Sequence, residues 1–131
     1  EGAVHMAGAP TLDYINAHGT ATALNDVAET RGIRSALGVS TPVSATKPLT
    51  GHLLGAAGVV EAIICLLAMR ESYAPPTWNL EEADVECNLD CIPQQGRTLK
   101  INHALSLNYG FGGHIGVLLL KAEHTPADAA E

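Results

Sequence analysis

Between residues 55 and 69 the chain carries one charged side chain, Glu61, in a run that is otherwise apolar and opens on Gly55-Ala56-Ala57-Gly58. A helix apolar around most of its circumference belongs inside a protein or a membrane, because a surface helix keeps a polar face for water. A bilayer span needs about 20 apolar residues, and this run is shorter. The pattern therefore predicts a central helix over residues 52–71, buried on most sides. The small residues at its start predict that another backbone passes close by. A lone buried carboxylate is costly, so Glu61 needs a cation, and Lys47 is the expected partner.

The segments around that helix read as short strands and one amphipathic helix. Residues 12–17 form a strand candidate, Asn25 or Asp26 can cap a helix running to Leu37, and Gly38 stops it. Residues 43–45 form a second strand, broken at Lys47-Pro48. After the central helix, Pro75-Pro76 opens a polar stretch that runs to Gln95-Gly96. Residues 99–107 and 116–122 are rich in β-formers and flank the turn Gly110-Phe111-Gly112-Gly113, which predicts an antiparallel pair. The order βαβα and then ββ implies an α/β fold with a mixed sheet.

Composition excludes some partners. The 131 residues are 47% apolar and 16% charged, which suits a packed core. A formal charge of −7 argues against nucleic-acid and anionic-membrane surfaces. An acidic partner would need a local basic patch, for which Arg31, Arg34, Lys47 and Arg70 are the candidates. Three cysteines do not suggest a disulfide framework, and nothing resembles a signal peptide, so a cytoplasmic setting is expected. The chain begins at Glu1, and residues 2–8 read as the tail of a helix without its start. The expectation is a fragment of a longer chain, with a domain over residues 1–123 and a disordered tail over 124–131.

Three polar clusters fall at joints between elements, where α/β proteins place their sites. They are Asn16-Ala17-His18-Gly19-Thr20-Ala21-Thr22, the stretch from Ser44 through Lys47 to Gly51-His52, and Tyr109-Gly110-Phe111-Gly112-Gly113-His114. Each has an ordinary explanation when taken singly. A loop histidine is often a cap, a lysine is usually solvated, and a glycine-rich hairpin needs only positive φ. Together they are expected along one edge of the sheet, two of them with a histidine beside small residues that leave room for a ligand.

In order and spacing these clusters resemble the C-terminal signatures of the β-ketoacyl synthase family, within the thiolase-like superfamily. The first signature is matched by Asn16 to Thr22, Asn25-Asp26 and Glu29. The second is matched by Lys47, Gly51-His52, Gly55-Ala56-Ala57-Gly58 and Glu61, and the third by Gly110 to Gly113. The resemblance implies half of a thiolase-like fold and an acyltransferase that joins malonyl and acyl carrier-protein thioesters by decarboxylative Claisen condensation, in fatty-acid or polyketide synthesis. It implies that His18 and His52 donate N–H to the malonyl thioester oxygen as the enolate forms. Lys47 would tune His52 or support the loop, with Glu61 behind it. Thr20 and Thr22 would bind the phosphopantetheine arm, although Thr22 reads nearly as well as a helix cap. Phe111 and Gly112 would sit at the acyl gate and its oxyanion hole. Acyl carrier protein is the implied partner, and a homodimer or ketosynthase heterodimer the implied assembly. No metal or resident cofactor is implied, since phosphopantetheine arrives on the carrier protein as substrate.

The family's nucleophile is a cysteine at the start of a buried helix, and none here fits that description. Cys65 lies within the apolar run and reads as core. Cys87 and Cys91 lie in the polar stretch, and with His103 they form only a C-x3-C without a second pair. The nucleophile is therefore expected outside this chain. Leu107 and Ile115 stand where the family's third signature often has asparagine, which alters the polar bonding around that turn. A non-catalytic, chain-length-determining partner subunit is the alternative, disfavoured by the joint presence of His18, His52 and Lys47.

Overall fold

The computed structural model describes residues 11–123 and, ahead of them, Gly2 alone. The expected helix tail at residues 2–8 and the tail from residue 124 otherwise lie outside the described residues. Strand β1 (Tyr14–Asn16) leads to helix α1 (Ala23–Leu37), strand β2 (Val43–Ser44) and the one-turn helix α2 (Lys47–Thr50). A 3₁₀ turn (Leu54–Ala56) then runs into α3 (Ala57–Glu71). The short strands β3 (Tyr73–Ala74) and β4 (Arg97–Thr98) follow, and the hairpin β5 (His103–Gly110) and β6 (His114–Lys121) completes the order.

The main sheet has the order β2-β1-β5-β6. β1 is parallel to both its neighbours, and β5–β6 is antiparallel. The mixed α/β sheet expected from the sequence is therefore present. Alternation along the strands sorts side chains onto two faces. Ile15, Val43, Leu105 and Leu107 meet Ile33 of α1 on one face. Tyr14 and Ala104 meet Cys65 and Ala68 of α3 on the other. The result is three layers, with a helix on each side of the sheet.

The helices differ from expectation in instructive ways. α1 begins three residues ahead of Asp26, after Thr22, and no side chain caps it. Asn25 instead turns its amide to Glu29 (3.3 Å) and Asp26 (3.0 Å). The central helix begins at Ala57, not at 52, because Gly51 and Leu54 both hold positive φ (75° and 51°) and fold residues 51–56 into a loop and a 3₁₀ turn. Its buried residues are Ala57, Glu61, Cys65 and Ala68, one stripe at helical spacing. Val59 (65% exposed), Ile63, Leu66 and Leu67 face outward, so the helix is not buried on most sides within this chain.

The strand limits differ too. β4 and β5 replace a single strand from residue 99, because the Asp13 carboxylate accepts the Asn102 and His103 N–H groups (2.8 and 2.9 Å) and bends the chain from the small sheet into the large one. β6 starts at His114, closing the hairpin through Phe111-Gly112-Gly113. The polar stretch is tied down by bridges from Val43 to Cys91 and from Thr77 to Pro93. Among the described residues no helix is long and apolar enough to cross a membrane.

Candidate active site

Strands β1 and β2 run parallel, so the loops leaving their C-terminal ends lie side by side. These loops carry His18 and Lys47-His52. Their close approach depends on Gly19. Its φ is +40°, and a Cβ there would fall 2.3 Å from the Ala45 Cβ. Only glycine lets the first loop rest on the second. Glu29, buried on the inner side of α1, then fastens that loop. Its two carboxylate oxygens accept the His18 and Gly19 N–H groups at 2.7 and 2.9 Å. Burial pushes the Glu29 carboxyl up, and its bonds to Gly19, His18 and Asn25 pull it down.

The ring centroids of His18 and His52 lie 5.5 Å apart, with their planes at 85°. The Tyr109 ring stands 5.2 Å from His18. His52 is exposed, and its Nδ1 accepts the Leu54 N–H (3.1 Å). That bond assigns the neutral tautomer with its proton on Nε2. The basicity of His18 is pushed down to about 4, by burial first, then by the Lys47 charge and by His52, with Asp26 opposing. It is a neutral imidazole at neutral pH. Its Nδ1 is buried without a partner among the described residues. An unpaired acceptor is better tolerated than an unpaired N–H, so here too the proton belongs on Nε2.

Lys47 opens α2 and is only 6% exposed. Its Nζ lies 2.5 Å from Oε1 of Glu61, itself 1% exposed. The pairing expected from the sequence is present. It also removes Lys47 from the surface, so Lys47 cannot contribute to a basic patch with Arg31, Arg34 and Arg70. Arg31 and Arg70 are engaged with Glu86 (2.8 Å) and Glu71 (2.7 Å).

A cleft of about 430 Å³ opens beside these groups, lined by Gly19, Thr20, Lys47, His52, Thr77 and Trp78 among others. Thr20 is on its wall. Thr22 lines a neighbouring groove, and its Oγ1 lies 2.9 Å from that of Thr20. Ala21 between them holds a left-handed φ of 57°, a backbone strain typical of binding loops. Phe111 is 95% exposed at the hairpin tip, where Gly112 takes φ +80°, and neither lines the cleft.

Sequence reasoning placed Glu29 in a signature without giving it a task, and it missed a polar row beneath α3. Strand register sets Ser44, Asn16 and Ser106 side by side, all buried. Tyr14 bonds Ser44 (2.7 Å), and Asn16 donates to Thr46 (3.2 Å). The available signal was polar residues at alternate positions of short strands. Cys65 is fully buried, and its thiol is pushed up to about 12 by burial and by Glu61. Burial also raises Cys91. Neither is an activated thiolate.

The fold and these loops define the C-terminal half of a thiolase-like fold, with His18 and His52 in the loops that leave two parallel strands. Comparison with known proteins agrees. The family model described as beta-ketoacyl synthase, C-terminal domain, matches residues 1–81. A 3-oxoacyl-[acyl-carrier-protein] synthase 2 of Synechocystis sp. is 51% identical over 113 residues, which are 84% of this chain and 27% of that protein. Among solved structures, a type II polyketide ketosynthase in complex with its acyl-carrier protein superposes with a TM-score of 0.84 at 38% identity, over 87% of this chain and 29% of that one. The ishigamide ketosynthase/chain length factor superposes equally well (TM-score 0.84) at 34% identity, over 87% of this chain and 28% of that one. The chain therefore belongs to the β-ketoacyl synthase family and carries its C-terminal domain. It spans about a quarter of the length of the curated relative.

Proposed function

We propose that this domain is the decarboxylating portion of a 3-oxoacyl-acyl-carrier-protein synthase of fatty-acid or polyketide biosynthesis. The observation that carries the reading is the pair of imidazoles, His18 and His52, set 5.5 Å apart next to the Thr20-lined cleft. Loss of CO2 from a malonyl thioester leaves the electron pair of the broken C–C bond in an enolate, with negative charge on the thioester oxygen. Two N–H donors aimed at that oxygen bind the transition state more tightly than the ground state. Protonation at neutral pH is not needed, and the depressed basicity of His18 fits a donor that keeps its proton. The enolate carbon then attacks an acyl thioester on a cysteine supplied from outside these residues. The thiolate leaves, with the Phe111-Gly112 turn stabilising the acyl oxyanion.

In this reading Lys47 positions the His52 loop and adds positive charge, Glu61 holds Lys47, and Thr20 and Thr22 bind the phosphopantetheine arm. Acyl carrier protein delivers that arm as substrate, no metal or resident cofactor is required, and the domain extends to residue 123. The working enzyme is a cytoplasmic dimer, with itself or with a related subunit. A non-catalytic chain-length subunit is the rival, and the retained His18, His52 and Lys47 oppose it.

The test uses the full-length protein that carries these residues. His52→Ala is expected to lower malonyl decarboxylation by about 10²–10³, the usual loss of one oxyanion donor, while acylation of the cysteine stays near the parent rate. Equal falls in both half-reactions would refute the role given to His52.

A further inference from the structure

We propose that Tyr109 is a positioning residue for His18, clamping the imidazole with its ring. The inference rests on the reading of His18 as an enolate donor. β5 runs beside β1, and the alternation that turns Leu105 and Leu107 toward α1 turns Tyr109 the same way. There its ring meets His18 at 5.2 Å with the planes tilted by 46°. Its phenol is pushed well above its ordinary range by burial and then by the neighbouring Glu29 carboxylate, so the hydroxyl keeps its proton beside that acceptor.

Tyr109 stands in the hairpin beside its tip, Phe111-Gly112, where it faces Ile115. A movement of that tip reaches His18 through one side chain.

The ring also covers one side of His18. The other titratable groups about that imidazole are Lys47 and His52 from the segment after β2, and Asp26 and Glu29 from α1. None of these is altered by substituting Tyr109, so a change in His18 titration in the variant reports on loss of the Tyr109 side chain.

The experiment compares Tyr109→Ala and Tyr109→Phe in the full-length protein, with His18 followed by 15N NMR titration and the two half-reactions assayed separately. In Tyr109→Ala the His18 pKa is expected to rise from about 4 by about 1 or more. kcat for malonyl decarboxylation should fall about tenfold or more, with KM and cysteine acylation within about twofold of the parent. Tyr109→Phe, which keeps the ring, should leave the His18 pKa in place and restore decarboxylation to within about threefold. If Tyr109→Ala does not fold, Tyr109→Leu is read by the same criteria. An unmoved His18 in the truncated variant, or equal loss in both half-reactions, overturns the role of Tyr109. A parent protein that never decarboxylates malonyl thioesters overturns the reaction assignment instead, and the titration needs no turnover to be read.

Discussion

Removing Glu61 leaves the Lys47 ammonium buried without its counter-charge, which costs roughly 3–5 kcal/mol. Glu61→Ala is therefore expected to lower both the melting temperature and the condensation rate of the full-length enzyme. Glu71→Ala breaks a pair whose partners are more than half exposed, and such pairs contribute about 0–1 kcal/mol, so it should change neither. Similar, small effects from both variants would show that the Lys47–Glu61 pair does not hold the site. His18 makes a pH-dependent contribution of definite sign. The unfolded chain takes up its proton near the ordinary value of about 6.5, but the folded state does so only near 4. The unfolded state binds more protons across that window, so this residue costs stability as pH falls through it and nothing above it. Glu29, with its pKa raised, acts in the opposite sense on the acid side. The comparison that isolates His18 is parent against His18→Gln. The variant's melting temperature should fall less steeply between about pH 6.5 and 4, and parallel profiles would contradict this assignment. At this scale His18, His52, Lys47 and Glu61 were readable because each stands at a fixed place in a motif. Glu29 and Tyr109 were not, since their work depends on which way a helix and a strand face.

The contact between the β1 and β2 loops makes Gly19 the most demanding glycine of the fold. Gly19→Ala forces a Cβ into that of Ala45 and strains a positive φ, whereas Gly38→Ala, also at positive φ, meets open space. Denaturant melts should show the larger loss for Gly19→Ala, together with a fall in decarboxylation. A loss confined to Gly38→Ala would mean that the two loops do not touch. The element order, the mixed strand directions and the hairpin followed from periodicity and turn residues. The start of α3 did not, because apolar periodicity continues through residues 53–56 although Gly51 and Leu54 adopt left-handed backbone there. The bend at residues 102–103 was also hidden, since Asp13 lies far upstream of the amides it holds.

At the scale of the whole chain, the thiols and the outer face of α3 set what the purified chain does. Burial raises the Cys65 and Cys91 thiols, so neither is activated, and α3 turns Val59, Ile63, Leu66 and Leu67 outward. Purified alone, the chain should show no turnover of acyl and malonyl carrier-protein thioesters, and it should self-associate and bind hydrophobic dyes. Ile63→Lys with Leu66→Lys should reduce that association, as read by light scattering, and an unchanged profile would place the association elsewhere. The sheet order has a temporal meaning as well. β1 cannot be enclosed until β5 lies along it, with Asn16 waiting for Ser106. At translation rates of about 5–20 residues per second, the segment bearing His18 stays half-paired for roughly 5–18 s after it is made. A nascent chain stalled before β5 should therefore bind chaperone more strongly than one stalled after β6 has emerged, and equal binding would contradict this order of enclosure.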